Sequence, residues 1–267
     1  MKAIKILMIG GVLVVGLLSL NTISKEKKYD VTEKYKVIKV NGKIIFQKTK
    51  TQMHTGDYFV KGTPVSFATQ QSRAAIINKT KGRFILKPTT SGKVKILPAT
   101  NNVSSRAGAL INLIDVQNHF SGNYLVIGKM ELEINEKAFP QDENNFFYLS
   151  YNHNGEVIRK KLPHKGNKLI LDKEEIFKID GKAIPVEKKE MALYYRQDKT
   201  SKKINTFTPV FPNIDDLKTE IEIILGEFDD KDTEGKKAEI TAYLNEFYGK
   251  PQKDNLSSWL AKEFKVK

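Results

Sequence analysis

The sequence predicts a mainly β protein with C-terminal helices (α+β): a small β barrel or sandwich, a second β domain and a helical C-terminal layer. Three observations support this fold class. From Tyr35 to Leu97, and again from Tyr124 to Phe207, short alternating or apolar runs are separated by turn residues, which is the pattern of half-buried strands. After residue 210 the apolar residues recur every three or four positions, which is typical of helices.

Composition limits the classes of function. The chain has 267 residues and is 40% hydrophobic, so it is long enough for one large domain or two modest ones. Its formal charge of +14 comes mostly from lysines spread along the chain, and few of its 45 basic residues are arginine. This distribution indicates a solvated basic surface rather than specific nucleic-acid recognition, with weak attraction to anionic lipid or cell-wall polymer as the alternative. The absence of cysteine excludes disulfides, thiolate metal sites, a cysteine nucleophile and a lipoprotein anchor.

The amino terminus predicts export. Two lysines precede an apolar run from Ile6 to Leu20, which small and polar residues follow up to Ser24. This is the pattern of a secretory signal, with cleavage expected after Ser24 and a periplasmic or extracellular location for the rest of the chain. The alternative is an uncleaved anchor over residues 6–23, since this run approaches the length of a membrane span.

Turn residues divide the chain further. Asn41-Gly42, Asn154-Gly155 and Asp180-Gly181 each separate two strand-like runs, and such pairs predict tight β-hairpins. The predicted boundaries are 1–24 for the signal peptide or N-terminal anchor, 29–100 for the small β domain, 101–122 for a connector helix, 123–210 for the second β domain and 211–267 for the C-terminal helices.

Four motifs follow one another in the first β region: a glycine turn at Gly42, a turn at Gly56-Asp57, a Ser-x-Ala strand over Ser72–Ile77 and a G-x-x-x-L strand over Gly82–Leu86. In this order they resemble the FecR-like periplasmic β domain, over residues 35–97. Members of that family carry a cytoplasmic region that binds a sigma factor, whereas this chain has five residues before its apolar run. The resemblance therefore implies an FecR-like or SH3-like fold for this domain and not the signalling role.

The connector between the β regions contains the candidate interaction residues. Its apolar residues predict one amphipathic helix or a packed connector, with Ser104 or Ser105 as the cap and an end at Ser121-Gly122. Polar side chains interrupt this apolar segment where two β regions meet, and inter-domain contact or ligand docking is expected at such a place. The candidate residues are Arg106, Asn112, Asp115 and His119.

Three apolar stripes at helical spacing follow residue 210 and predict a small bundle or a helical layer over the second sheet. The first follows a cap at Asn213, the second stops at Gly249 and Pro251, and the third follows Asp254. Their members are Ile214, Leu217, Ile221, Ile224 and Leu225; Ile240, Tyr243, Leu244, Phe247 and Tyr248; and Leu256, Trp259, Leu260 and Phe264.

The segment from Asp230 to Thr241, DKDTEGKKAEIT, begins like an EF-hand calcium loop. Its twelfth position is Thr241, where such a loop needs a glutamate that supplies two carboxylate oxygens. We therefore expect a connection between two helices, the second capped by Asp232 or Thr233, and no bound metal.

The sequence contains no spacing that identifies catalytic chemistry. The four histidines form no metal-binding motif, and neither a G-x-S-x-G nucleophile elbow nor a glycine-rich phosphate loop is present. No catalytic residue, cofactor or metal is predicted. We expect a non-catalytic envelope protein that binds or scaffolds a protein or a cell-wall polymer.

The alternatives are a carbohydrate-active hydrolase or other enzyme with a dispersed site, and a membrane-anchored sensor. An enzyme predicts a deep pocket with converging carboxylates of perturbed pKa, whereas a scaffold predicts an exposed apolar or basic patch.

Overall fold

The computed structural model describes residues 33–99, 109–227 and 233–266, and all other residues lie outside the description. The described residues belong to one compact unit that begins at Glu33. This unit is mainly β, with its helices mostly at the C-terminal end and a sheet curled into a half-barrel. The predicted α+β class is therefore confirmed. Among the described residues, no helix has the length and apolarity that a membrane crossing requires; the predicted anchor at 6–23 lies outside them.

The first β region is built from seven strands. A five-stranded antiparallel sheet has the order β3-β1-β5-β6-β7, and β2 pairs separately with β4. The strands are β1 (Lys34–Asn41), β2 (Ile44–Phe46), β3 (Tyr58–Val60), β4 (Val65–Phe67), β5 (Arg73–Asn78), β6 (Gly82–Pro88) and β7 (Val94–Pro98).

The predicted hairpin at Asn41-Gly42 is wrong. A turn is present, but β1 and β2 leave it for different sheets and do not pair with each other. Gly42 has φ +80°, and a Cβ atom added there would lie 2.6 Å from the Ser72 Oγ. Glycine is needed because the chain must pass close to Ser72 with left-handed backbone as it crosses between sheets.

The connector contains one short helix, α1 (Leu113–His119). The expected caps Ser104 and Ser105 lie outside the described residues; Asn112 caps the helix instead, accepting a hydrogen bond from the Asp115 backbone N–H. The helix begins at Leu113 because the preceding chain is extended: Leu110 forms a parallel bridge with Ile134. A single helix over the connector is therefore wrong, since residues 109–112 are not helical and α1 stops before Ser121-Gly122. The alternative of a packed connector agrees with Leu110 and Val116, which are buried in the core of the second β region.

The second β region is a two-layer structure. A six-stranded sheet, β11-β10-β16-β17-β8-β18, packs one face against α1, α2 and the three-stranded sheet β12-β13-β9. Its elements are β8 (Gly122–Leu125), β9 (Met130–Glu133), β10 (Phe146–His153), β11 (Glu156–Lys161), β12 (His164–Lys165), β13 (Lys168–Leu171), α2 (Lys173–Ile176), β14 (Lys178–Ile179), β15 (Lys182–Ala183), β16 (Met191–Gln197), β17 (Thr200–Val210) and β18 (Lys250–Pro251). The hairpins predicted at Asn154-Gly155 and Asp180-Gly181 are confirmed, joining β10 to β11 and β14 to β15.

The three predicted C-terminal helices are confirmed as α3 (Ile214–Gly226), α4 (Thr233–Phe247) and α5 (Lys253–Phe264). Asn213 caps α3 as expected, accepting from the Asp215 and Asp216 backbone N–H groups. The part of the calcium-like motif from Thr233 onward is the first part of α4 rather than a loop, and residues 228–232 lie outside the description.

The helical layer packs mainly against the first sheet, whereas one of the two predictions placed it over the second sheet. Its buried residues form one cluster with Ile38, Ala75, Ile77 and Ile85 of the first sheet, together with residues of and just after β8. Only β18, between α4 and α5, joins the second sheet, beside β8. The helices therefore cover the first sheet and, at Leu125 of β8, one side of the outer face of the six-stranded sheet. Among the described residues, no helix joins the cluster of the outward side chains on β10, β11 and β16.

Candidate functional site

The outer face of the six-stranded sheet carries the candidate site. Side chains alternate along β10, so that Phe147, Leu149 and Tyr151 enter the core while Phe146 and Tyr148 face outward. The register then places basic and aromatic partners beside them: Tyr148 lies opposite Lys161 and Tyr194, Phe146 opposite Arg196, Ser150 opposite Arg159, and Arg196 opposite Ser201.

These outward side chains line a cavity of about 520 Å³. Its lining residues are Phe146, Tyr148, Arg159, Lys161, Arg196 and Ser201. Two rings, three basic side chains and one hydroxyl therefore face the space, and none of these six described residues is a carboxylate. All six come from the second β region, so the first β region does not contribute to this concavity.

The Phe146 ring contacts two of the three cations. The Lys161 ammonium lies 4.3 Å from the centre of the Phe146 ring, and the Arg196 guanidinium lies 5.6 Å from the same centre. Tyr148 and Tyr194 stack with ring centres 5.0 Å apart and an interplanar angle of 9°. Cation–π contacts of this kind stabilise a cation near the ring without neutralising its charge.

The hydrogen bonds of these cations also leave their charge available. Lys161 Nζ donates to the Asp142 backbone carbonyl at 3.2 Å, and Arg196 Nε donates to the Asp198 carbonyl at 2.8 Å. The Asp142 carboxylate is near Lys161, but it accepts hydrogen bonds from Asn145 and Asn144, whose donation is the main reason that its pKa is lowered. The site is therefore a positively charged concavity suited to anions.

The predicted interaction residues lie elsewhere. Arg106 is outside the described residues. Asn112 and Asp115 are brought together at the start of α1 by the capping hydrogen bond of 3.0 Å. His119, at the other end of α1, is buried, and its Nε2 lies 2.5 Å from the Tyr124 hydroxyl oxygen. These contacts connect the connector to the core of the second β region, and a ligand role for these residues stays a prediction.

His119 has an electrostatic environment that favours the neutral ring. Burial lowers its pKa to about 4, and the positive charge of Lys250 acts in the same direction. The neighbouring Tyr124 hydroxyl is fully enclosed, and burial raises its pKa. A neutral imidazole hydrogen-bonded to a neutral phenol is a stable polar pair inside an apolar cluster.

The most deeply buried carboxylate of the helical layer is Glu220. Its oxygens accept from Lys39 Nζ at 2.7 Å, from the Tyr243 hydroxyl at 2.7 Å and from the Tyr248 hydroxyl at 2.5 Å. Burial, and then the charge of Glu220, raise the pKa of both tyrosines. Both oxygens are therefore engaged with β1, with α4 or with Tyr248 directly after α4, which is the arrangement of a structural link between sheet and helices.

Arg83 makes a second link of this kind. Its fully buried guanidinium bonds Glu239 at 2.5 Å and Glu246 at 2.7 Å, joining β6 to α4. Glu220, Glu239 and the half-buried Glu246 are paired with cations, and none of them lines the basic cavity. The ion pairs of Glu220 and Arg83, which join the first sheet to the helices, are therefore separate from the cations of the candidate site.

Comparisons of the chain with protein-family models, with curated proteins and with solved structures find no match. The FecR-like resemblance of residues 35–97 therefore stays a prediction. The sequence did contain the signal for the site: aromatic and basic residues alternate with core residues in FFYLSY and YYRQ, and RKK places two basic residues at alternate positions. The strand register was needed to show that they meet.

Proposed function

We propose that this chain is a non-catalytic binding protein of the cell envelope that holds an anionic polymer in the basic cavity on its six-stranded sheet. The observation that carries the proposal is the set of three cations, Arg159, Lys161 and Arg196, which line one cavity with two aromatic rings. The predicted export signal supplies the compartment, where the fitting class of partner is a cell-wall polymer that carries phosphate or carboxylate groups on sugars or polyols.

The charge of the cavity supports an anionic partner. Arginine binds phosphate and carboxylate through two parallel hydrogen bonds, and two of the chain's few arginines line this space. A neutral glycan would leave these guanidinium groups without a charged acceptor. The serine hydroxyl of Ser201, directly opposite Arg196, adds a donor and acceptor for a sugar or polyol hydroxyl.

The form of the cavity supports a polymer rather than a reacting small molecule. It lies across four adjacent strands, and neighbouring strands are spaced by about 4.8 Å. The distance from β11 to β17 is therefore about 14 Å, several times the size of a single anionic group. An extended chain with repeated charges can contact the cations on β11 and β16 at the same time.

Binding of the full chain to poly(glycerol phosphate) and to polygalacturonate, with neutral dextran as the comparison, tests this proposal. The two anionic polymers separate phosphate from carboxylate as the recognised group. We expect binding to at least one of them, none to dextran, and weaker binding at higher salt. The double variant Arg159→Gln/Arg196→Gln is expected to raise the Kd at least tenfold, which corresponds to about 1.4 kcal/mol.

The matched control is Lys93→Gln/Lys95→Gln, which removes the same formal charge from an exposed strand of the first β region. Equal loss of binding in both double variants would mean that the overall charge of +14, and not the cavity, attracts the polymer. Equal affinity for single-stranded DNA of matched charge would likewise refute a polymer-specific site.

A further inference from the structure

A second exposed patch lies on the first β region, at the edge strand β3. We call it the β3 patch and define it as Lys34, Lys36, Tyr58 and Val60. Tyr58 and Val60 are 50% and 49% exposed, although both are large apolar side chains. Lys36 lies opposite Tyr58 and Lys34 opposite Val60 in the β1–β3 register. The four side chains therefore share one face of the sheet.

The lysines of the β3 patch surround the exposed ring. Lys34 Nζ lies 4.2 Å and Lys36 Nζ 5.2 Å from the centre of the Tyr58 ring. No carboxylate of the described residues pairs with either lysine. Lysines beside an edge strand also discourage pairing with another sheet, but that role does not require an exposed tyrosine and valine between them.

The charge next to the β3 patch is also positive. Glu33 bonds Lys61 and Lys81, each at 2.9 Å. Hydrogen bonds from Tyr35 and from the two lysines lower the pKa of Glu33 to about 2, so this group stays ionised and engaged. Within the described part of the chain, one carboxylate is thus shared by Lys61 and Lys81, and no carboxylate pairs with Lys34 or Lys36.

The β3 patch is also close in sequence to the predicted N-terminal anchor. Ten residues separate Ile23, at the end of the apolar run, from Lys34, and three of them are lysines. A fully extended chain of this length spans at most about 35–40 Å. If residues 6–23 enter a bilayer, the β3 patch is therefore held near the surface of that bilayer at high effective concentration.

We infer that the β3 patch docks on the surface of an anionic lipid bilayer in the anchored form of the chain, with Tyr58 and Val60 at the headgroup level and Lys34 and Lys36 against lipid phosphates. Tyrosine is enriched at this depth because its ring is apolar and its hydroxyl is polar. Lysines near the surface attract anionic lipid. This inference concerns a surface distinct from the basic cavity and does not depend on polymer binding there.

The test uses the full chain, whose lack of cysteine permits a single labelled site. Val60→Cys is labelled with an environment-sensitive fluorophore, and Val157→Cys, at an exposed valine of the second β region, is the matched control. Each protein is mixed with vesicles of phosphatidylcholine alone or with 30% phosphatidylglycerol. We expect a blue shift, and quenching by brominated lipid, at position 60 in anionic vesicles only.

Lys34→Gln/Lys36→Gln in the Val60→Cys chain is expected to reduce the docked fraction, with a loss of about fivefold in surface affinity for each lysine. Far-UV circular dichroism verifies that each variant is folded. A label at position 60 that responds like the label at 157, while the chain sediments with the vesicles, would refute docking by the β3 patch. Failure to sediment with either vesicle would refute it as well, because the anchored form would not exist.

Discussion

Replacement of Glu220 tests whether the buried charges hold the helical layer on the first sheet. The Glu220 side chain is 3% exposed and accepts hydrogen bonds from Lys39, Tyr243 and Tyr248. Glu220→Ala leaves two hydroxyls and an ammonium without their acceptor in a region that water reaches poorly. A buried donor without a partner costs about 1–3 kcal/mol, and removal of one member of a buried ion pair costs about 3–5 kcal/mol.

We therefore expect Glu220→Ala to lower the free energy of unfolding by about 3–5 kcal/mol, a large share of the 5–15 kcal/mol typical of a domain. The assay is urea unfolding followed by far-UV circular dichroism and by the fluorescence of Trp259, which packs against the same cluster. Glu222→Ala, an exposed position on the same helix, is the control and should change stability by less than about 0.5 kcal/mol.

A loss for Glu220→Ala that equals the loss for Glu222→Ala would refute the reasoning. The double replacement Glu220→Leu/Lys39→Met provides a second check, because removing both charges together leaves no isolated buried ion. We expect this double variant to be more stable than Glu220→Ala alone. If it is less stable, the Lys39 ammonium left by Glu220→Ala does not behave as an isolated buried charge, and the expected cost of breaking the pair is wrong.

Three further predictions concern stability. Arg83→Met leaves the carboxylates of Glu239 and Glu246 without their cation and should lower the free energy of unfolding by about 3–5 kcal/mol. Arg83→Lys should not restore this stability, because one ammonium cannot bond both carboxylates as the guanidinium does. Thermal unfolding measures both variants. Gly42→Ala should lower the free energy of unfolding by about 1–3 kcal/mol, and by more than Gly155→Ala does. Both glycines have positive φ, but only at Gly42 would the added Cβ meet another atom, the Ser72 Oγ. Urea unfolding of the two variants is the test. His119 has a pKa lowered to about 4, so the unfolded state binds its proton first as the pH falls below about 6.5, and stability is lost between there and pH 4. Between pH 7 and pH 4.5 the loss of stability should be about 2.5 kcal/mol larger in the parent chain than in His119→Gln, as measured by unfolding at both pH values.

The parts of the fold that local chemistry determines could be predicted from the sequence. The Asn154-Gly155 hairpin and the Asn213 cap follow from residues within a few positions of each other, and both are confirmed. The Asn41-Gly42 hairpin was wrong because a tight turn does not decide which strands pair. The pairing of β1 with β3 and β5 instead of β2 depends on contacts distant in sequence.

The position of the helical layer and the residues of the candidate site could not be predicted from the sequence, for the same reason. Apolar stripes identify helices but not the sheet they cover, and the cluster around Ile38 and Ile77 shows that they cover the first one. The aromatic and basic residues of the cavity are distributed over β10, β11, β16 and β17. Only their register brings Phe146 beside Arg196 and Tyr148 beside Lys161.

The basic cavity is not explained by the needs of the sheet alone. The stacked pair Tyr148 and Tyr194 stabilises β10 against β16 whatever the protein binds, by about 0.2–1 kcal/mol. The same need does not explain why Lys161 and Arg196 flank one ring, because like charges repel and a lysine–glutamate pair would stabilise the strands better. Acidic residues are available in the chain and form such pairs elsewhere, as Lys168 does with Glu131 on the small sheet. Three of the six lining residues are cations and none is a carboxylate, and this part of the sheet face is outside the cluster that the described helices form. An external anion is therefore favoured as the partner that offsets the repulsion.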